Sequence, residues 1–353
     1  MSDADPPPPS DEKKLRAPRK GHGRATLDDV ARRAGVSPIT VSRALRSPGG
    51  VASATRQRIA DAVMEVGYIP NLIAGSLASS APRTVAAILP TLDNSIFTDV
   101  LKGVVDVLGT SDYQLVLGNS HWSLEVEEAL VTTFLSHRVG AIMLTGAAHS
   151  PRTREILRTA QLPVVETWSL PRSPVGACVG FSNERAAFAM TQHLIERGYR
   201  DIALVSAVTR HNDRAAARRR GYARALRTHG LHNAPETTLE SSFGLAAGAA
   251  ALERIRRVRP STDAIFFAND VLASGAILGA LRGGLRVPDD IAIAGFDDTE
   301  MATEMIPPLT TVRVEREVLG AAAGELMLAA LRGEDIRGRR IDIGFEVIAR
   351  SST

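Results

Sequence analysis

The apolar positions of this chain change their period partway along it. Between Thr26 and Val66 they recur at three- and four-residue spacing in short blocks: Leu27, Val30, Ala31 and Ala34; then Val41, Ala44 and Leu45; then Ile59, Ala62, Val63 and Val66. Such spacing puts each set on one face of a helix. The pattern predicts two short helices joined by a tight turn and, after the loop Ser47-Pro48-Gly49-Gly50, a third helix over about Ser53–Val66. Thr26 is placed to cap the first helix, and Asp28 and Asp29 stand in its first turn, where carboxylates suit the positive end of the helix dipole. Gly35 suits the left-handed C-cap. Ser37 can cap the second helix, with Pro38 at its first position, where a missing N–H leaves nothing unsatisfied.

From Thr84 onward, apolar runs alternate with helical blocks. Strands are predicted at Val85–Leu89, Tyr113–Leu117, Val139–Leu144, Pro163–Glu166 and Cys178–Phe181. Helices are predicted from Ile96 to about Leu108, through about Ser136, after Pro151, and up to about Gly198. The rhythm restarts with the strand Ile202–Ser206, helices over Asp213–Gly230 and about Leu245–Arg257, the strand Ala264–Phe267 and a helix over Ala273–Arg282. Ile291–Gly295, a strand near Thr311–Val314, the helix Leu319–Leu331 and an edge segment Asp342–Val347 complete it. Strands alternating with helices of this length imply parallel sheets built from right-handed crossovers. The expected fold class is a small all-α helix-turn-helix headpiece plus an α/β part of two doubly wound parallel-sheet subdomains. Polar loops fall after the strands, at the carboxyl ends where such sheets bind ligands.

Two segments lie outside these periods. Residues 1–23 are Pro-rich and charged, with nothing to bury, and read as a disordered basic arm. Its Lys13, Lys14, Arg16, Arg19 and Lys20 could add phosphate attraction or be a plain solvated tail. Asn71–Ser79 offers a helix of about two turns with Ile73, Ala74, Leu77 and Ala78 on one side, weakened by Gly75. It is a conditional helix, formed when something packs against it, or else an ordinary linker. The domain boundaries are then 1–23 for the arm, 24–70 for the helix-turn-helix domain, 71–83 for hinge and linker, and 84–353 for the α/β part. The last divides into subdomain 1, about 84–181 and 312–340, and subdomain 2, about 182–309 and 341–353.

Charge sharpens this division. Residues 11–60 carry 12 lysines and arginines against four acids, a local net of +8, while the whole chain is only +3. Two amphipathic helices with a Gly-Val turn occur in many helical proteins, but positive charge concentrated there is the footprint of a phosphate-binding module. The second helix is then suited to the major groove of DNA. With 353 residues, 44% hydrophobic, the chain has ample core and no apolar run long enough to span a membrane. It begins with no secretory signal, so a cytoplasmic location is expected. The single cysteine, Cys178, excludes an internal disulfide framework and any CxxC metal site. There is no Walker loop, GxSxG or HExxH, and the eight histidines have no metal-ligand spacing. No enzyme activity, metal or cofactor is expected. A solute-binding protein of a transporter shares the two-subdomain pattern but would need a signal peptide and would lack residues 24–79.

The residues resemble the LacI family of bacterial transcriptional repressors from Thr26 to the C-terminus. The motifs carrying the likeness are Leu27–Arg43, Tyr68-Ile69-Pro70-Asn71, Ala268-Asn269-Asp270, Val287-Pro288-Asp289-Asp290-Ile291, Gly295-Phe296-Asp297-Asp298 and Pro307-Pro308-Leu309-Thr310-Thr311-Val312. Within the family the chain looks most like gluconate-operon repressors, through Leu89–Asn94, His149–Thr153, Val164–Glu166, Val179–Phe181 and Asp342–Phe345. The resemblance implies subdomains of periplasmic-binding-protein type and a homodimer on double-stranded, near-palindromic operator DNA. It also implies a sugar-acid or sugar effector, gluconate-like, that releases the repressor, and no membrane partner. A corepressor-dependent or dual regulator with another sugar-type effector is the alternative sign. A cytoplasmic sugar-binding protein without a DNA role is the alternative class.

The resemblance also assigns residues. Thr26, Ser37, Pro38, Ile39, Thr40, Ser42 and Arg43 become DNA contacts, together with Asn71, Ala74, Leu77 and Ala78 of the hinge. Thr40 and Ser42 hydroxyls can donate to phosphate oxygens, and Arg43 can reach guanine O6 and N7 or else cover the helix end. Pro38 and Ile39 can offer only apolar contact, for example to thymine methyls. Leu77 would wedge into a flexible base step. Gly75 stands where relatives often carry an arginine. Effector contacts are expected from Asn94, Ser95, Phe97, Thr145, Phe181, Arg214, Arg218, Asn269 and Asp297. Phe181 could instead be core, and Asp297 or Asp298 a helix cap. Among Arg214, Arg218, Arg219 and Arg220, two fit a solvated face, while one or two turned inward would suit a carboxylate.

Overall fold

The computed structural model describes residues 25–46, 48–69, 82–232 and 234–353. These form two separate compact units, one ending before Ala81 and one running from there to Thr353. The predicted arm at 1–23 and the hinge at 71–79 lie outside the described residues.

The N-terminal unit contains α1 (Leu27–Ala34), α2 (Pro38–Arg46) and α3 (Ser53–Val66). Thr26 and Asp29 form a reciprocal capping box that starts α1, and Gly35, at φ +65°, ends it in the left-handed conformation. The Ser37 hydroxyl accepts the Thr40 N–H (3.2 Å) and so starts α2. The core is small: Val30, Ala31, Ala34, Val41, Ala44, Ile59 and Ala62, with Leu27, Val36, Val63 and Val66 packed around it. Leu45 departs from the predicted inward face and is 36% exposed.

The C-terminal unit is α/β. Its first sheet takes β1 (Thr84–Leu89), β2 (Gln114–Asn119), β3 (Ile142–Thr145), β4 (Val164–Thr167), β5 (Ala177–Gly180) and, much later, β11 (Arg340–Asp342). All six are parallel, in the order β11-β5-β4-β3-β1-β2. Helices α4 (Ser95–Gly109), α5 (Leu124–Ser136), α6 (Pro151–Ala160) and α12 (Arg316–Leu331) flank it. The second sheet, β7-β6-β8-β9, is also parallel and comprises β6 (Ile202–Ser206), β7 (Thr238–Glu240), β8 (Ala264–Phe267) and β9 (Ala292–Ala294). Around it lie α7 (Asn183–Glu196), α8 (Asp213–Thr228), α9 (Leu245–Val258), α10 (Asp270–Arg282) and the short α11 (Glu300–Glu304). An antiparallel pair, β10 (Thr311–Arg313) with β12 (Glu346–Ile348), runs where the chain passes between the two lobes.

The two-lobed, doubly wound architecture matches the sequence pattern, with local differences. The expected edge segment Asp342–Val347 is two strands serving different sheets, because the Gly344 N–H turns back onto the Asp342 carboxylate (3.0 Å) and breaks the run. β2 extends through Gly118 and Asn119, which the pattern placed in a loop. β7 was not foreseen; Thr-Leu-Glu is too short and too polar to register as an apolar run.

A chain of aromatic rings joins the lobes. Phe97 of α4 meets Trp168 edge-on (5.6 Å), Trp168 meets Phe181 (6.4 Å), Phe181 stacks on Phe296 (6.1 Å), and Phe296 stacks on Phe266 of β8 (6.5 Å). Among the described residues, no helix is long and apolar enough to cross a membrane.

Candidate functional site

On the N-terminal unit, α2 leaves Pro38, Ile39 and Arg43 exposed, while Val41 and Ala44 are buried against α1 and α3. Ile39 is 72% exposed, a large apolar side chain held in water at the leading end of the helix. The Ser37 and Thr40 hydroxyls lie 2.9 Å apart. The Thr26 hydroxyl donates to Asp29 (2.7 Å) and holds that carboxyl below its usual value, so its proton is engaged in the cap. Thr40 and Ser42 are half-buried beside these residues. Ser37, Pro38, Ile39, Thr40, Ser42 and Arg43 therefore share one short helix and its cap. The predicted hinge contacts Asn71, Ala74, Leu77 and Ala78 lie outside the described residues.

In the C-terminal unit, a cavity of about 720 Å³ lies between the lobes. Its walls are the loops that follow β1, β2, β4, β6, β7, β8 and β9, each at the carboxyl end of its strand. Six of the nine expected effector residues line it: Asn94, Phe97, Arg214, Arg218, Asn269 and Asp297. Asn94 caps α4 by accepting the Ile96 N–H (3.2 Å), and Asn269 caps α10 by accepting from Val271 (2.9 Å) and Leu272 (3.3 Å). Both caps hold their amides rigidly at the cavity wall.

The other three do not line it. Ser95 is the first residue of α4, and its side chain points to solvent, whereas the cap residue before it turns back. The Thr145 hydroxyl donates to the Ile88 carbonyl (3.2 Å) inside its own sheet. Phe181 is fully buried in the aromatic chain between Trp168 and Phe296, the core role that its sequence also allowed.

The arginine-rich start of α8 splits as its helical period requires: Arg214 and Arg218 are buried in the cavity wall, while Arg219 and Arg220 are exposed. Arg218 lies over the Phe296 ring (3.6 Å) and donates to Asn183 Oδ1 (2.9 Å) and the Ala268 carbonyl (2.7 Å). Burial lowers it to about 10 against the pull of Asp297, so it stays charged at neutral pH. With Nε and Nη1 engaged, its Nη2 is left 3.8 Å from Asp297 Oδ1. Arg214 sits over Trp122 (5.3 Å) and Phe97 (5.9 Å). Asp297, at φ +115° and fully buried, accepts from Asn269 Nδ2 (3.2 Å); burial raises it to about 7 despite Arg218. It does not cap a helix: the short α11 begins after Thr299, whose N–H is taken by Asp270 (2.8 Å).

Sequence reasoning missed His121, Trp122, Trp168, Arg210, His211 and Phe243, all of which line the cavity. His121, Trp122, Trp168 and His211 share positive φ with Asp297, a conformation rare for bulky side chains and common at binding sites. A tryptophan following a polar strand end was the available signal. Three buried polar atoms on this wall have no hydrogen-bond partner among the described residues: Trp168 Nε1, Arg214 Nε and Asp297 Oδ1. Buried polar groups are otherwise almost always paired, and all three of these atoms belong to residues that line the cavity.

A helix-turn-helix unit and a two-lobed ligand-cleft domain in one chain define a class, the bacterial regulators that couple an operator-reading headpiece to a periplasmic-binding-protein-like body. Residues 26–71 match the description "Bacterial regulatory proteins, lacI family" and residues 191–353 match "Periplasmic binding protein-like domain". The transcriptional regulator GntR of Pseudomonas aeruginosa is 37% identical over 332 residues, covering 94% of this chain and 96% of that protein. GntR of Escherichia coli K12 is 38% identical over 323 residues, 91% and 96% respectively. The crystal structure of a LacI-family transcriptional regulator from Silicibacter pomeroyi superposes with a TM-score of 0.86 at 33% identity, covering 93% of this chain and 99% of that one. The chain belongs to the LacI family and is a DNA-binding transcriptional repressor.

Proposed function

We propose that this repressor binds a near-palindromic operator as a cytoplasmic homodimer and is released by a small polyhydroxy carboxylate, gluconate first among them, held in the interlobe cavity. The observation that carries the ligand class is the set of three buried atoms that make no hydrogen bond. Trp168 Nε1 and Arg214 Nε need acceptors, and Asp297 Oδ1 needs a donor. A sugar acid offers both, through its carboxylate and its hydroxyls, while the Trp122 and Phe97 rings cover its C–H faces. The likeness to gluconate-operon repressors supports gluconate. Exposed Val105 on α4 and Val116 and Leu117 on the edge strand β2 are apolar surface suited to a second copy of the chain.

In this reading α2 docks in the major groove, with Arg43 on a base edge and the hydroxyls of Thr40 and Ser42 on phosphates. Effector in the cleft favours an arrangement of the lobes in which operator affinity falls. This is population shift and requires unequal binding to the two arrangements. No step here is enzymatic.

The experiment is a gel-shift titration of the full chain on its upstream DNA with a panel of sugar acids, phosphorylated sugars and neutral sugars. Gluconate should release the complex and Arg214→Ala should abolish release while leaving effector-free binding intact. Tighter DNA binding on adding gluconate would reverse the sign, and release by neutral sugars alone would overturn the ligand class.

A further inference from the structure

The first turn of α8 also carries a group that does not line the cavity. Asp213, in the second lobe, crosses the cleft and accepts hydrogen bonds from the Ser169 hydroxyl (2.6 Å) and the Ala147 N–H (3.2 Å), both in the first lobe. Its receiver is shaped for it. Gly146, at φ +84°, approaches so closely that a Cβ there would lie 2.6 Å from Asp213 Oδ1. Gly146 also donates to the Thr167 carbonyl (2.8 Å), and Arg154 holds the Ala147 carbonyl, so the two receiving loops are tied to each other. Further in, His149 lies between Glu127 (2.8 Å) and Glu166 (3.3 Å), joining the loop that carries Ala147 to the strand that leads to Ser169.

On the other side, Asn212 caps α8 and Arg214 enters the cavity, immediately before and after Asp213. Cap, cross-cleft acceptor and ligand group are thus consecutive residues on one rigid helical turn. Any shift of this turn relative to the first lobe would move Arg214 and the Asp213 carboxylate together. Parting the lobes breaks both bonds together.

We infer that Asp213 is a positioning residue, a clasp that is made only when the lobes are closed and that sets how much of the effector's binding energy is converted into closure. The inference rests on the effector-cleft reading for its consequence, but its geometry stands in the protein without ligand. A charge-assisted bond formed in one arrangement and lost in the other biases the equilibrium by about tenfold.

The test uses the full chain with spin labels at two exposed positions, Arg158→Cys on α6 and Arg227→Cys on α8, Cys178 being buried. Pulsed EPR distances are read with and without gluconate, alongside operator affinity. Asp213→Ala should shift the ligand-free distances toward a longer, broader distribution. It should also raise the gluconate concentration for half-release about tenfold and leave effector-free operator affinity unchanged or higher. Ser169→Ala removes the other half of the bond without touching α8. It should act in the same direction, and the double variant should be no worse than Asp213→Ala alone. Lobe distances equal to the parent's, or operator and gluconate affinities falling together, would overturn the clasp. If gluconate fails to release even the parent, the effector reading fails, while the ligand-free distances still decide the clasp.

Discussion

The two functional surfaces of this chain are built by opposite means. The headpiece presents an exposed face on a single nine-residue helix and its cap, with Pro38, Ile39 and Arg43 in solvent. The cleft gathers groups from seven loops, buried ones such as Asn94, Trp168, Arg218 and Asp297 beside exposed ones such as Trp122 and Phe243, several with positive φ. A polyanion is large and highly charged, so its reader needs accessible side chains at fixed register and little desolvation. A small hydroxylated ligand offers few contacts, so its site must be desolvated in advance and hold polar atoms short of partners. Those features lower stability, and they concentrate where the ligand would restore it.

That contrast can be broken most sharply at Asp297. Asp297→Ala should reduce gluconate affinity about 100-fold by calorimetry, since it removes a buried charged acceptor. Effector-free operator affinity should move by no more than a few-fold; a matching loss on DNA would mean that the two surfaces are not separable. Leu77→Ala comes next. It should weaken operator binding by tens of fold, on the order of a base-step unstacking energy, with unspecific DNA unaffected. Equal losses on both DNAs would remove the wedge. Arg43→Ala should cost about 1–3 kcal/mol on the operator and relax the preference at one base pair, as measured by competition gel shifts with single-base variants.

Two pH effects sharpen the comparison further. Asp297 is raised from its usual 3.8 to about 7. A ligand hydroxyl donating to its charged form therefore binds more tightly as pH rises from 6 to 8, by about tenfold, and Asp297→Asn should flatten the profile. His149, buried between two carboxylates, is raised from 6.5 to about 9. A group whose folded value lies above its unfolded one contributes stability that is full below 6.5 and lost as pH rises through 9. The melting temperature of the C-terminal unit should then fall by several degrees between pH 7 and 10. The headpiece has no such buried pair among its described residues. Its smallest expected effect is that of Thr26→Ala, which should lower helix stability by about 1 kcal/mol and leave gluconate binding alone.

Much of the headpiece was legible because its determinants are local. Caps, the glycine turn and the 3.6-residue period all act within a few residues, and Leu45 alone faces another way. In the α/β body the alternation of strands and helices was equally legible, and so were the residues that sit at fixed places on an element. Asn94 and Asn269 are helix caps, and Arg214 and Arg218 are one turn apart. Ser95, Thr145 and Phe181 were misplaced because a residue's number along a loop does not say which way its side chain leaves. At the start of α4 the cap residue turns inward and its successor turns out.

The sequence by itself determined the fold class, the order of the two units, the helix-turn-helix and the arginines that α8 turns into the cleft. Each of these follows from short-range periodicity and capping. Only the tertiary structure decided that Trp122 and Trp168 join that wall, that Arg218 is held by Asn183 and Ala268 while Arg214 keeps an unpaired donor, and that Asp213 reaches across to Ser169. Those relations link residues tens of positions apart through loops whose backbones are held away from their own preferences by the packing around them. No local pattern encodes them, because the energy that stabilises them is released only when both lobes are folded.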